Sequence, residues 1–272
     1  MSALNAGITR AFDLVFLPSG VSPWLGVIIV SMVTGLVLLL VFRYTSNQRG
    51  IRAAKDQIMA HLLEVLLYRD ELRVVLRAQV RLFGDNLRYL GYALVPLLFM
   101  LVPVGLLLVQ TDLRYGHRPL QVGESAIVAA QIRSEGGALE AVSISVPPGL
   151  EVETAALRMP DVGEVDWRVR AVSPGTHELR IRVGGEEFVK QVVVGEGATR
   201  VAIQRVGGPA WRQFLYPGES PLPGEGPVEE IRVFYPGASL RFFGWRLHWI
   251  WPWLIVSMVF GYALKGPLRV QV

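Results

Sequence analysis

Hydrophobic and polar positions divide this chain before any composition is counted. Residues 24–42 are a run of nineteen without a charged side chain, close to the ~20 apolar residues needed to cross a bilayer core as a helix. A second apolar run covers 90–110 and contains Pro96 and Pro103. Proline inside a spanning helix frees a carbonyl that neighbours must satisfy, so a bent helix is expected there. A third run covers 247–264, with Trp245, Trp249, Trp251 and Trp253 crowding its start, where aromatic rings suit headgroup depth.

Between the first two runs, residues 43–89 change to helical periodicity. Ile51, Ala54, Ile58, Leu62 and Val65 stripe one predicted helix, and Leu72, Val75, Leu76, Val80 and Phe83 a second. Ser46 or Asn47 can cap the first helix, and Tyr68-Arg69-Asp70 is a turn. The pattern predicts an antiparallel helical hairpin, a short coiled-coil arm. From Thr111 onward the period shortens to two. Roughly seven strands are expected over 118–206, the clearest being Val165-Asp166-Trp167-Arg168-Val169-Arg170-Ala171. Pro174-Gly175 and Gly184-Gly185 turn the chain between the later ones, and about seven short alternating strands predict a β-sandwich. Trp-x-Val, Pro-Gly and Leu-x-Ile-x-Val resemble immunoglobulin-like modules in architecture, without their cysteine pair. Residues 207–246, rich in Pro and Gly, read as a tether without its own core. At the other end, Leu4, Ile8, Phe12 and Val15 recur at helical spacing in 1–23, an amphipathic segment suited to a membrane surface; it lacks the basic n-region and cleavage site of a signal peptide.

Charge gives this pattern a direction. The protein is 18% charged and 51% hydrophobic, against ~25% charged for soluble domains. Nine basic residues, Arg43, Arg49, Arg52, Lys55, Arg69, Arg73, Arg77, Arg81 and Arg88, sit in the hairpin, against Arg10 alone in 1–23. By the positive-inside rule the hairpin is cytoplasmic, the N-terminus outside, and the tail 265–272 with Lys265 and Arg269 cytoplasmic. The fold class expected is membrane α plus β: three transmembrane helices, a cytoplasmic helical hairpin and an exoplasmic immunoglobulin-like sandwich, in a prokaryotic plasma membrane. The net charge of +4 follows from basic loops holding topology.

Candidate chemistry is sparse. Cysteine is absent, which excludes disulfides, thiolate metal sites and cysteine nucleophiles. His61, His117, His177 and His248 fall in different segments, and no nucleophile elbow or phosphate loop occurs. No catalytic residue, cofactor or metal site is expected, and the protein reads as a non-enzyme. Asp161, Glu164 and Asp166 lie close together but lack a glycine-centred calcium loop, so they read as a solvated turn. Arg69, Arg73, Arg77 and Arg81 repeat every four residues, and like charges at that spacing repel on a helix. The ribbon calls for an anionic partner: lipid headgroups, or ribosomal RNA or an acidic client segment.

One span, the loop start Ser46-Asn47-Gln48-Arg49, the hairpin, and Pro96-Leu97-Leu98-Phe99-Met100-Leu101-Val102-Pro103 resemble the core of the YidC/Oxa superfamily of membrane-protein insertases. The likeness covers about 24–110 plus the last span. Bacterial members carry an arginine inside an intramembrane groove, whereas here Arg43 lies at the edge of an uncharged first span, and the β-domain is an insertion. The resemblance implies a groove lined by Ser31, Thr34 and Ser257, with the ribosome or a nascent membrane protein at the hairpin. Two functions follow. One is a scaffold or accessory subunit whose outer domain binds a protein or glycan; the other is an insertase or chaperone.

Overall fold

A computed structural model of the chain describes residues 7, 9, 10, 12, 13, 22–133, 139–197, 199–242, 244–268 and 270. Leu4, Ile8 and Val15 of the amphipathic segment and Arg269 of the tail lie outside the described residues; Gly7, Thr9, Arg10, Phe12 and Asp13 have helical backbone. The protein combines long helices with antiparallel sheets and divides into two compact units, 28–108 with 253–272, and 1–27 with 109–252.

The helical unit is built on α1 (Pro23–Thr45), α2 (Gln48–Leu67) and α3 (Leu72–Tyr115). Asn47 caps α2, its side-chain oxygen accepting from the Gly50 amide at 2.9 Å. The turn expected at 68–70 is present. The boundary expected near residue 90 is not: the second hairpin helix and the second apolar run are one helix of 44 residues, with Pro96 and Pro103 inside it. At 1.5 Å per residue it is ~66 Å long. α1 and α3 are both long and apolar enough to cross a membrane. The third run is shorter than expected. Leu247 pairs into a strand, so the last helix spans only Ile250–Leu264, ~22 Å against a ~30 Å core.

The β unit holds β1 (Ser125–Ile132), β2 (Ser143–Ser145), β3 (Leu150–Val152), β4 (Leu157–Met159), β5 (Glu164–Ala171), β6 (Gly175–Val183), β7 (Glu186–Val194), β8 (Gln204–Val206), the short helix α4 (Ala210–Leu215), β9 (Val228–Val233), β10 (Leu240–Phe242) and β11 (Trp245–Leu247). The last helix, Ile250–Leu264, is therefore α5. Among the described residues one sheet has the order β3-β5-β1-β9-β8 with β4 on β5, a second is β2-β6-β7, and β10-β11 is a hairpin. All of these pairings are antiparallel. The Gly184-Gly185 turn has both glycines at positive φ, 57° and 93°, as a two-residue hairpin loop matched to strand twist requires.

The two larger sheets share one core. Val128, Val165, Trp167, Val169, Leu179, Ile181, Phe188 and Val192 fill it from alternate strand positions. Leu222, Val228, Ile231, Val233 and Tyr235 belong to the same core. The tether expected over 207–246 is therefore corrected: its centre is β9, which lies between β1 and β8. Glu229-Glu230 interrupts the alternation of β9, and flanking prolines and glycines disguise it. Buried Glu230 is held by Arg212 at 2.7 Å and by Arg232.

Candidate functional site

Geometry in the hairpin starts from its seam. Gly50 faces Tyr92, with the Tyr92 ring 2.9 Å from where a Cβ would stand. Lys55 lies over the Tyr89 ring at 5.7 Å, and His61 lies between Glu64 at 3.0 Å and Asp85 at 3.3 Å. These pairings fix the antiparallel register. The less exposed positions include Ile51, Ala54, Ile58, His61 and Val65 on α2, and Val75, Ala78, Leu82, Asp85 and Tyr89 on α3, each series in steps of three and four. The sequence-derived stripe on α2 largely meets this seam, although Leu62 stays 47% exposed. Of the stripe expected on the second helix, only Val75 does. Leu72, Leu76, Val80 and Phe83 are exposed, and with Leu87, Leu90 and Leu94 they continue as one apolar face. At 100° per residue these seven positions fall within a band ~80° wide. Small Ala78 and polar Asp85 take the seam, which lets α2 approach and leaves the large side chains outside.

Arg73, Arg77 and Arg81 lie beside that apolar face, exposed on α3, while Arg69 sits in the turn ahead of the helix. The four-arginine ribbon is thus three helical residues plus one in the turn. Among the described residues, none of the four has a carboxylate in salt-bridge range, whereas Arg88 reaches Asp85 at 3.9 Å.

Ser31, Thr34 and Ser257 come together where α1 meets α5, and all three are buried. Thr34 Oγ1 donates to the Val30 carbonyl at 2.7 Å and accepts from Trp253 Nε1 at 3.2 Å. Ser257 Oγ donates to the Leu254 carbonyl at 3.0 Å. A Cβ on Gly35 would stand 2.5 Å from the Ser257 carbonyl oxygen. Small residues thus bring the two backbones into contact, as in tightly packed membrane helices.

Buried charges in the β unit escaped sequence reasoning. Arg114, near the C-terminus of α3, donates to the Gln110 carbonyl at 2.6 Å, Gln110 Oε1 at 2.9 Å and the Thr9 carbonyl at 2.9 Å, and pairs with Asp13. Arg200 reaches the same carboxylate at 3.2 Å. Burial holds the Arg114 guanidinium below its usual pKa, partly offset by Asp13. This network ties Thr9 and Asp13 to the end of α3. On β7, Lys190 is fully buried, donating to the Ala202 carbonyl at 2.7 Å and the Gln191 carbonyl at 3.1 Å and pairing with Glu219. A lone Arg, Lys or Glu in the sequence gives no sign of burial, and the partners lie tens to a hundred residues apart.

Two cavities border Arg200. One of about 220 Å3 is lined by Thr9, Arg10, Tyr216, Glu219 and Ser220; another of about 290 Å3 is lined by Asp13, Thr176 and Gln191. Both fall below the ~300–1,000 Å3 common for small-molecule pockets. Among the described residues no three His, Cys, Asp or Glu side chains converge on a metal position. Glu164 and Asp166 share the outer face of β5, while Asp161 lies in the preceding turn. One Asp166 carboxylate oxygen is buried without a partner. Burial and then nearby Glu164 push the Asp166 pKa up to about 6.

No family model matches the chain. No curated protein matches it either. Among solved structures it is similar to the crystal structure of the S-layer protein rSbsC(31-844), at 18% identity and a TM-score of 0.24. That likeness covers 34% of this chain and 13% of the S-layer chain, and decides nothing about role.

Proposed function

We propose that this chain is a non-enzymatic integral membrane protein, a scaffold or accessory subunit that presents an immunoglobulin-like β-sandwich on the outer face of a prokaryotic plasma membrane. In this reading α1, the apolar part of α3, and α5 cross the bilayer, with the hairpin and C-terminus cytoplasmic. The short α5 is accommodated by local thinning, at a fraction of a kcal/mol per Å of mismatch. The observation that carries the reading is the fate of Ser31, Thr34 and Ser257. Their hydroxyls are buried in close packing of α1 on α5, which suits an anchor better than a polar groove. The test is photo-crosslinking in intact membranes from exposed outer positions such as Val162 and Leu157, and from Val80 and Phe83 on the hairpin. Partners captured by the outer domain, and loss of function on deleting 118–242, support the scaffold; full function without that domain refutes it.

A second reading, a YidC/Oxa-like insertase or chaperone, is favoured by one feature. The exposed stripe from Leu72 to Leu94 runs from the hairpin tip towards the membrane-crossing part of α3, beside Arg73, Arg77 and Arg81. Such a coiled-coil arm offers an apolar track and an anion-binding edge to a nascent membrane segment or the ribosome. Crosslinks from Val80 to nascent chains, with reduced client insertion on depletion, support it. Unchanged insertion sinks it.

A further inference from the structure

The β10–β11 hairpin concentrates an unusual arrangement just ahead of α5. Arg241 and Arg246 are directly opposed across the two strands, so their Cβ atoms lie ~5 Å apart on one face. Like charges opposed in this way destabilise a strand pair, and a hairpin of three paired positions per strand has little else to hold it. Both guanidiniums are exposed. Among the described residues neither has a carboxylate in salt-bridge range, unlike Arg118, Arg168, Arg170, Arg180, Arg182 and Arg212 elsewhere in the β unit.

The other face of the hairpin is apolar. Leu240 and Leu247 are opposed, Leu240 is buried, and Trp245 is 74% exposed. Gly244, at φ 87°, makes the turn before Trp245. Only His248 and Trp249 separate β11 from α5, whose first residues include Trp251, 55% exposed. An exposed tryptophan, an unpaired arginine couple and an apolar helix two residues later share one requirement: an apolar phase bordered by anions.

We propose that the β10–β11 hairpin is an interfacial anchor in which Arg241 and Arg246 together hold the phosphate of an anionic membrane lipid while Trp245 enters the headgroup layer. This rests on the membrane reading above and adds a lipid-binding element to it. A bridging phosphate converts the repulsion between the arginines into two charge-assisted interactions. Tryptophan at headgroup depth keeps its ring in the apolar boundary and its N–H hydrated.

The chain has no cysteine, so a single one can be labelled cleanly. The full chain carrying Trp245→Cys, and separately Ile255→Cys on α5, is spin-labelled and reconstituted in nanodiscs of phosphatidylcholine containing phosphatidylglycerol. Label depth is read from collisions with oxygen and with a water-soluble nickel chelate. The label at 245 is expected at phosphate depth. Adding Arg241→Gln with Arg246→Gln should reduce the immersed population about tenfold or more, whereas the double lysine variant retains it. A water-exposed label at 245 with an immersed label at 255 overturns the anchor and leaves the membrane reading standing. Water exposure at both positions overturns the membrane reading itself. Depth unchanged by the glutamine pair refutes the arginines' role, and a label shift produced by inorganic phosphate alone in detergent overturns the assignment to lipid.

Discussion

Replacing Glu219 by glutamine removes a carboxylate beside an ammonium that has no access to water. The Lys190 side chain is fully buried and Glu219 nearly so, 8% exposed. The three N–H donors of the Lys190 ammonium meet three acceptors, two carbonyls and the Glu219 carboxylate. Burial already holds the Lys190 pKa below its usual value, with Glu219 opposing that shift and Arg205 adding to it. In Glu219→Gln the hydrogen bond can be retained, but the opposing charge is lost. Breaking a buried pair from one side costs ~3–5 kcal/mol. Deprotonation of Lys190 relieves part of that cost, so ~3 kcal/mol is the expected loss. At 1.36 kcal/mol per factor of ten this is about 150-fold. The assay is hydrogen exchange by mass spectrometry on the full chain in detergent. The peptide over β7 should exchange faster by on the order of 100-fold, while peptides from the hairpin keep their rate. Lys190→Met combined with Glu219→Leu should recover most of the loss, because apolar replacement of both partners is close to neutral. Exchange over β7 within about threefold of the native protein in Glu219→Gln would refute the claim that this pair stabilises β7.

Asp166→Asn should stabilise the β unit at neutral pH. The folded carboxyl has its pKa raised to about 6 from the ordinary 3.8, so its burial costs nothing below the unfolded pKa, where it is protonated in both states. Stability is then lost as pH rises through about 6. Two units cap the gain at ~3 kcal/mol; partial exposure reduces it to ~1–2 kcal/mol, measured by denaturant unfolding at pH 7 and absent at pH 4. Gly35→Ala must displace α1 from the Ser257 carbonyl, at a cost of ~1–3 kcal/mol; an unchanged melting temperature in detergent contradicts that contact. Arg114→Gln should free Thr9 and Asp13 from the end of α3, giving at least about tenfold faster proteolytic clipping next to them. Arg73→Gln, Arg77→Gln and Arg81→Gln together should weaken and flatten the salt dependence of hairpin binding to anionic vesicles, read by co-sedimentation.

The expected strand pattern was most reliable where one face was apolar. Val165, Trp167 and Val169 marked β5 with their spacing, and Gly184-Gly185 marked the β6–β7 turn; both match the structure. Periodicity misled where a helix carries two apolar faces. Leu72, Leu76, Val80 and Phe83 form the stronger stripe, yet the α2 contact uses Val75, Ala78, Leu82 and Asp85, of which the expected stripe holds only Val75. Hydrophobicity alone does not distinguish a face that packs inside the chain from one that packs on something else. β9 was hidden for the opposite reason: a central strand bearing buried Glu230 looks polar until Arg212 and Arg232 are found beside it.

The long apolar helices, the polar helical hairpin between them and the antiparallel β region are legible residue by residue, because each is written in consecutive positions at a period of 3.6 or 2. Packing of distant segments supplied the rest. It joined the second hairpin helix to the second apolar run as one helix, drew β9 out of a Pro/Gly-rich stretch into the middle of a sheet, and buried Ser31, Thr34 and Ser257 between α1 and α5. It also paired Lys190 with Glu219 and Arg114 with Asp13, and left Arg241 facing Arg246. Those outcomes depend on which distant side chain arrives at a given face. Burial and charge pairing belong to that encounter, and no local window of residues contains it.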